Sequence, residues 1–212
     1  MVNAGHRLEP SRREEVESPL YQSVCPELRE VVLETLSFSH ILQAQANRAQ
    51  KLDPQAFQST LIYVGYRLIE VELSHQAPTA NTSLDILIQL AMIGFQNTFW
   101  LGLGRKLFTV PLLAQRFRSA AQTIISDNHI PPQKIVLFWA LFMGRISLLT
   151  KAEDLWIVPK LKTLTMELEL HTWTEASIAL SVFPWVKVVH DAPGERFWNV
   201  TLACVTSALK SS

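Results

Sequence analysis

Apolar residues return every three or four positions through most of this chain, and that spacing dictates the kind of core it can build. Phe57, Leu61, Val64, Leu68 and Val71 stand four, three, four and three apart. Ile135, Trp139, Phe142, Ile146 and Leu149 keep the rhythm, as do Leu113, Phe117, Ala120 and Ile124, and Ile157, Leu161, Leu164 and Leu168. A helix gathers residues at that period into one apolar stripe, whereas a strand scatters them over both faces. Strand-like alternation is weak, and neither Asn-Gly nor Asp-Gly occurs to turn a hairpin. The spacing predicts an all-α fold.

Capping chemistry suggests where the helices begin and end. Asp53-Pro54 offers a side-chain acceptor followed by a residue with no amide hydrogen to satisfy. Thr172-Trp173-Thr174-Glu175 has the form of a capping box, opening a helix through Ile178, Val182 and Phe183. Further helices are expected over 26–50, over 83–101 and from Pro193 to about Leu209, with Pro193 in the first turn. Pro184 is expected to kink the helix that Thr172 opens. Polar breaks at 51–53, 75–82, 102–109, 127–132, 150–153, 171 and 190–193 leave about eight helices in an irregular bundle.

With 212 residues, 48% of them apolar, the chain can bury a core and is too apolar for intrinsic disorder. Residues 1–25 are charged and are read as a flexible, disordered or loosely ordered tail, with a helical domain over 26–212 and a softer seam at 75–82. Residues 84–103 and 135–149 look membranous, but the first holds Asp85, Gln89, Gln96 and Asn97. The second is too short to cross and contains Arg145, so no membrane span is expected. Two cysteines, Cys25 and Cys204, and a charged N-terminus without a signal-peptide core point to an intracellular protein. The sequons at Asn81 and Asn199 are then expected to stay unmodified.

Little in the sequence carries chemistry. No two of the six histidines stand four apart, and the compact trio His190, Asp191 and Glu195 reads as a loop histidine beside a helix-capping aspartate. Gly102-Leu103-Gly104-Arg105-Lys106 lacks the third glycine of a dinucleotide fingerprint and the Gly-Lys-Ser/Thr of a P-loop; a helix C-cap explains it. There is no nucleophile elbow, and Glu70/Glu72 and Glu167/Glu169, two apart, diverge on a helix. No catalytic residue, metal or cofactor is expected. The aromatic stripe Phe138-Trp139, Phe142, Trp156, Trp173, Trp185 and Phe197-Trp198 reads as core, with an apolar ligand cavity as the alternative.

Those aromatics also carry a resemblance. Phe138-Trp139-Ala140-Leu141-Phe142-Met143-Gly144 resembles the Leu-Trp-x-Leu-Phe-x-Gly segment of the fungal-specific transcription factor regulatory domain. Glu153-Asp154-Leu155-Trp156, Thr172-Trp173-Thr174-Glu175, Phe183-Pro184-Trp185 and His190-Asp191-Ala192-Pro193-Gly194-Glu195-Arg196-Phe197-Trp198 are similar, in order and spacing, to its later segments. The likeness covers 133–198 and implies structural roles for Trp139, Phe142, Gly144, Trp156, Trp173, Trp185, Asp191, Pro193, Gly194 and Trp198. In that family the domain follows a six-cysteine zinc cluster that binds DNA, and this sequence has two cysteines in all. The resemblance therefore implies a nuclear regulatory domain that binds a transcription factor or coactivator, even dimerising with a full-length factor, without contacting DNA itself. A truncated transcription factor is a second reading. A small-molecule binder or enzyme of specialised metabolism, in the cytoplasm, is a third.

Charge adds a place to look. The formal net charge is zero, but residues 1–85 sum to −4, residues 86–152 to +6 and residues 153–212 to −2. Zero overall argues against a surface devoted to nucleic acid. The middle segment is expected to offer a basic face, Arg105, Lys106, Arg116 and Arg118, to an acidic partner.

Overall fold

The Asp53 carboxylate accepts the amide of Gln55 at 3.0 Å, with Pro54 in the first helical position, and the helix that follows buries Leu61, Val64 and Leu68. The same logic of cap and stripe repeats along the chain. A computed structural model describes residues 24–48, 52–71, 80–101, 111–126 and 131–209. Among these, α1 spans Pro26–Asn47, α2 Pro54–Glu70, α3 Ala80–Leu101, α4 Pro111–Ser126 and α5 Pro131–Ser147. A 3-10 turn, Lys151–Glu153, leads into α6, Asp154–Glu167; α7, Trp173–Leu180, and α8, Lys187–Leu209, complete the chain. The protein is all-α, eight helices with no strand among the described residues, and none of these helices is long and apolar enough to cross a membrane.

The core is continuous. Leu28, Val32 and Leu36 of α1, Phe95 of α3, Phe117 of α4 and Phe138–Met143 of α5 are buried in one cluster with Leu161 of α6 and Trp198 of α8. α3 lies at its centre, packed against α1, α2, α4, α5 and α8. Its polar residues, which argue against a membrane span, each serve a neighbour's backbone. Asp85 accepts the Cys25 amide at the start of α1. Gln89 donates to the Leu68 carbonyl in the last turn of α2, and Asn97 to the Ser147 carbonyl that ends α5. Helix ends leave such groups without intrahelical partners, so a buried side chain that meets them ties one helix to another.

Several boundaries differ from expectation. The tail of 1–25 lies outside the described residues except at its end, where Val24 is buried and Cys25 is held by Asp85, so the fold already includes both. The seam at 75–82 and the Gly102–Lys106 loop fall largely or wholly outside the described residues. α7 stops at Leu180, and Pro184 sits in the connection to α8 rather than kinking a helix, because the residue before a proline is driven out of the helical region. α8 begins at Lys187, so Pro193 is its seventh residue and not in its first turn. The break expected at 190–193 is helical.

The start of α8 is set from a distance. The Lys187 amide donates to Oε1 of Gln43 on α1 at 2.7 Å, and the Val186 amide donates to Nδ1 of His190 at 2.8 Å. Neither contact involves the Ser, Thr, Asp or Asn cap that a sequence advertises.

Candidate functional site

The resemblance motifs fold into a mechanical cluster. Trp139 is fully buried, stacked on Phe183 with centroids 5.0 Å apart, and its indole donates to the Pro184 carbonyl at 3.3 Å. Phe142 meets Trp173, Phe197 and Trp198. The Trp185 indole donates to Oδ1 of Asp191 at 2.7 Å, and Ser177 also donates to that oxygen. A Cβ on Gly194 would stand 2.7 Å from the Trp173 ring, and one on Gly144 only 2.5 Å from the Phe117 ring. Both glycines let a ring approach a helix backbone. Asp191 holds an indole within α8 and caps no helix, which corrects its sequence reading.

His190, read as a loop histidine, is fully buried among Phe95, Phe99 and Trp185. Its Nδ1 accepts the Val186 amide, so Nε2 carries the hydrogen and donates to Thr98 Oγ1 at 2.8 Å, while Thr98 donates to the Phe95 carbonyl. The chain of donors fixes a neutral ring, and burial pushes its pKa down to about 3. Asp191 is committed to Trp185 and Glu195 is exposed. No group of three His, Cys, Asp or Glu among the described residues could hold a metal ion.

The expected basic face is not assembled as expected. Arg105 and Lys106 lie outside the described residues. Arg116 is exposed on α4. Arg118 is engaged: its guanidinium pairs with Glu153, which also accepts the Trp156 indole, and it lies 5.9 Å from the Trp156 ring centroid.

Cationic groups converge instead where α5 ends. Arg145 in the last turn of α5 pairs with Asp154 at the start of α6 and lies 5.3 Å from the Phe197 ring centroid. Beside it opens a groove of about 450 Å³ lined by Arg145, Ile146, Leu149, Lys151, Arg196 and Phe197, together with Thr150, Pro193 and Val200. Lys151 and Arg196 are exposed and form no ion pair among the described residues. Thr150 also lines a second groove of about 340 Å³, with Pro111, Ala114, Gln115, Arg118, Leu148 and Glu153. The two share Thr150 and are together termed the track: the second groove reaches α4, and the first reaches α8 with Lys151 and Arg196 beside its apolar residues. Sequence reasoning counted Lys151 in the basic middle segment but had no means to join it to Arg196, 45 positions later.

No protein-family model, curated protein or solved structure matches the chain. The likeness to the fungal regulatory domain therefore rests on the short motifs alone. The described groove residues fall mostly outside those motifs.

Proposed function

We propose that this chain is a helical regulatory domain that acts by holding an acidic, apolar segment of a partner protein in the track between α4, α5 and α8. One observation carries the reading: Lys151 and Arg196, both without an ionic partner among the described residues, flank a floor built from Ile146, Leu149, Phe197 and Val200. A segment interleaving Asp or Glu with Leu or Phe fits such a surface, its apolar side chains buried and its carboxylates steered by the rim. The open form and continuation past Thr150 suit an extended occupant better than a compact one. The motif likeness supplies the setting, a transcription factor or coactivator as partner and the nucleus as the place. DNA would be reached through the partner, since these 212 residues contain two cysteines.

Fluorescence anisotropy with a labelled peptide alternating Glu and Leu tests this directly. The expected result is saturable binding that weakens with salt, and a loss of about tenfold, or 1.4 kcal/mol, in a Lys151→Glu/Arg196→Glu variant. The variant should melt with the parent chain, because both side chains are exposed. Equal affinity in parent and variant would remove the groove from the proposal. An amphipathic carboxylate that raises the melting temperature, with no peptide binding, would assign the track to a small molecule instead.

A further inference from the structure

The second surface concerns α2, whose main packing neighbours are α1 and α3. Its inward side is conventional, with Leu61, Val64 and Leu68 buried. Its outward side is not. Ile62 is 45% exposed, Tyr63 50%, Tyr66 65% and Ile69 76%. Ile62, Tyr66 and Ile69 stand four and three apart, which places them in one row along the helix, with Tyr63 beside it. Exposed Gln55, Gln58 and Ser59 continue the row toward the N-terminus, so the face carries no charge from Gln55 to Ile69. Arg67 lies off the row and is engaged by Glu30. Single exposed apolar residues are ordinary, but an aligned set of four on an uncharged helix face marks a contact surface.

From this surface we infer that the chain forms a homodimer by antiparallel packing of α2 against α2 of a second copy. Self-complementarity selects this occupant. Ile62-Tyr66-Ile69 reads nearly the same in both directions, so a two-fold axis between Gly65 and Tyr66 sets Ile62 against the partner's Ile69 and each Tyr66 about one residue's rise from its mate, as an isologous interface requires. The only nearby charge on that side, Glu70, would stand roughly 13 Å from its copy at 1.5 Å rise per residue, beyond a Debye length of about 8 Å. With Glu70 alone on that side, a charged partner has little on this face to recognise, unlike the cationic track built from α4, α5 and α8. Area is also sufficient. At about 200 Å² per side chain, the exposed fractions give roughly 470 Å² per copy, near 950 Å² in all. That total stands at the lower end of what a specific interface needs, about 1,000 Å². An interface of that size gives a weak dimer, with a dissociation constant on the order of 10 μM.

Sedimentation velocity of the full chain from about 1 to 200 μM reads the outcome, since that range brackets such a constant. The mass should rise from the 24.0 kDa of one chain toward twice that value. An Ile69→Glu variant should remain at the single-chain mass with unchanged helicity and melting temperature. Tyr66→Cys, placed in a Cys25→Ser/Cys204→Ser background, should cross-link to itself on mild oxidation and provides a reading even if the glutamate variant fails to fold. A chain that stays single at every concentration would overturn the inference, and so would a dimer that survives Ile69→Glu. So would a single chain whose Ile69→Glu variant melts lower, because the face would then be covered from within the same molecule. A dimer without the Tyr66→Cys cross-link would overturn the antiparallel register.

Discussion

At His190 one imidazole nitrogen closes the first turn of α8 and the other reaches Thr98 on α3, so the ring joins two helices only while it is neutral. In an unfolded chain the ring protonates near pH 6.5, whereas in the fold it resists until about 3. Between these values the unfolded state binds the extra proton. The contribution to stability is therefore complete above about pH 6.5 and declines as pH falls, by about 2 kcal/mol at pH 5. Urea midpoints measured from pH 7.5 to 5 should show this fall, and a His190→Gln variant should show a shallower one. Parallel profiles would remove His190 as the source. Gly144 makes a steric prediction of similar sharpness. Alanine there would gain about 1 kcal/mol in helix propensity but would press on the buried Phe117 ring, so a net loss of about 1–2 kcal/mol is expected. Thermal unfolding of Gly144→Ala, and recovery when Phe117→Leu is added, would test that coupling. The capping box at Thr172 was legible because all its atoms lie within four residues: Glu175 accepts the Thr172 amide and Thr172 accepts that of Glu175. The role of His190 was not, because Thr98 lies 92 positions away.

Element boundaries followed the same division between local and remote causes. α2 starts where Asp53-Pro54 says it should, and the apolar period locates α2, α4, α5 and α6. α8 starts six residues earlier than Pro193 suggests, because Gln43 and His190 satisfy amides that no neighbouring residue caps. The end of α6 contains a conformational cost that the sequence hides. Glu169 has φ of 54°, in the left-handed region, and the Leu170 amide returns to the Thr165 carbonyl at 2.8 Å, closing a Schellman-type turn. Glycine is the residue suited to that backbone, so Glu169→Gly should stabilise the protein by about 0.5–1 kcal/mol. Calorimetry should show the melting temperature rising by about 2–3 °C. An unchanged or lower value would mean that the glutamate side chain contributes more than its backbone costs.

For the molecule as a whole, fold class was readable from periodicity, whereas the surfaces were not. The basic middle segment was visible as a sum, yet Arg118 is engaged by Glu153 and the exposed rim cation outside that segment, Arg196, comes from α8. Adding charges along a chain cannot show which of them pair across the fold. The exposed row on α2 was missed for a related reason: Ile62, Tyr66 and Ile69 continue an apolar pattern that looks like core until Leu61, Val64 and Leu68 are seen to fill the inward side. The remote anchoring of α8 has a consequence for the order of assembly. Gln43 waits 144 positions for Lys187, and Thr98 waits 92 for His190. During synthesis α1 and α3 emerge long before α8 exists, and loops of that length close slowly. The face of α3 around Thr98 and Phe95 therefore lacks α8 while the 92 residues from Thr98 to His190 are made, the interval in which a chaperone would have to shield it.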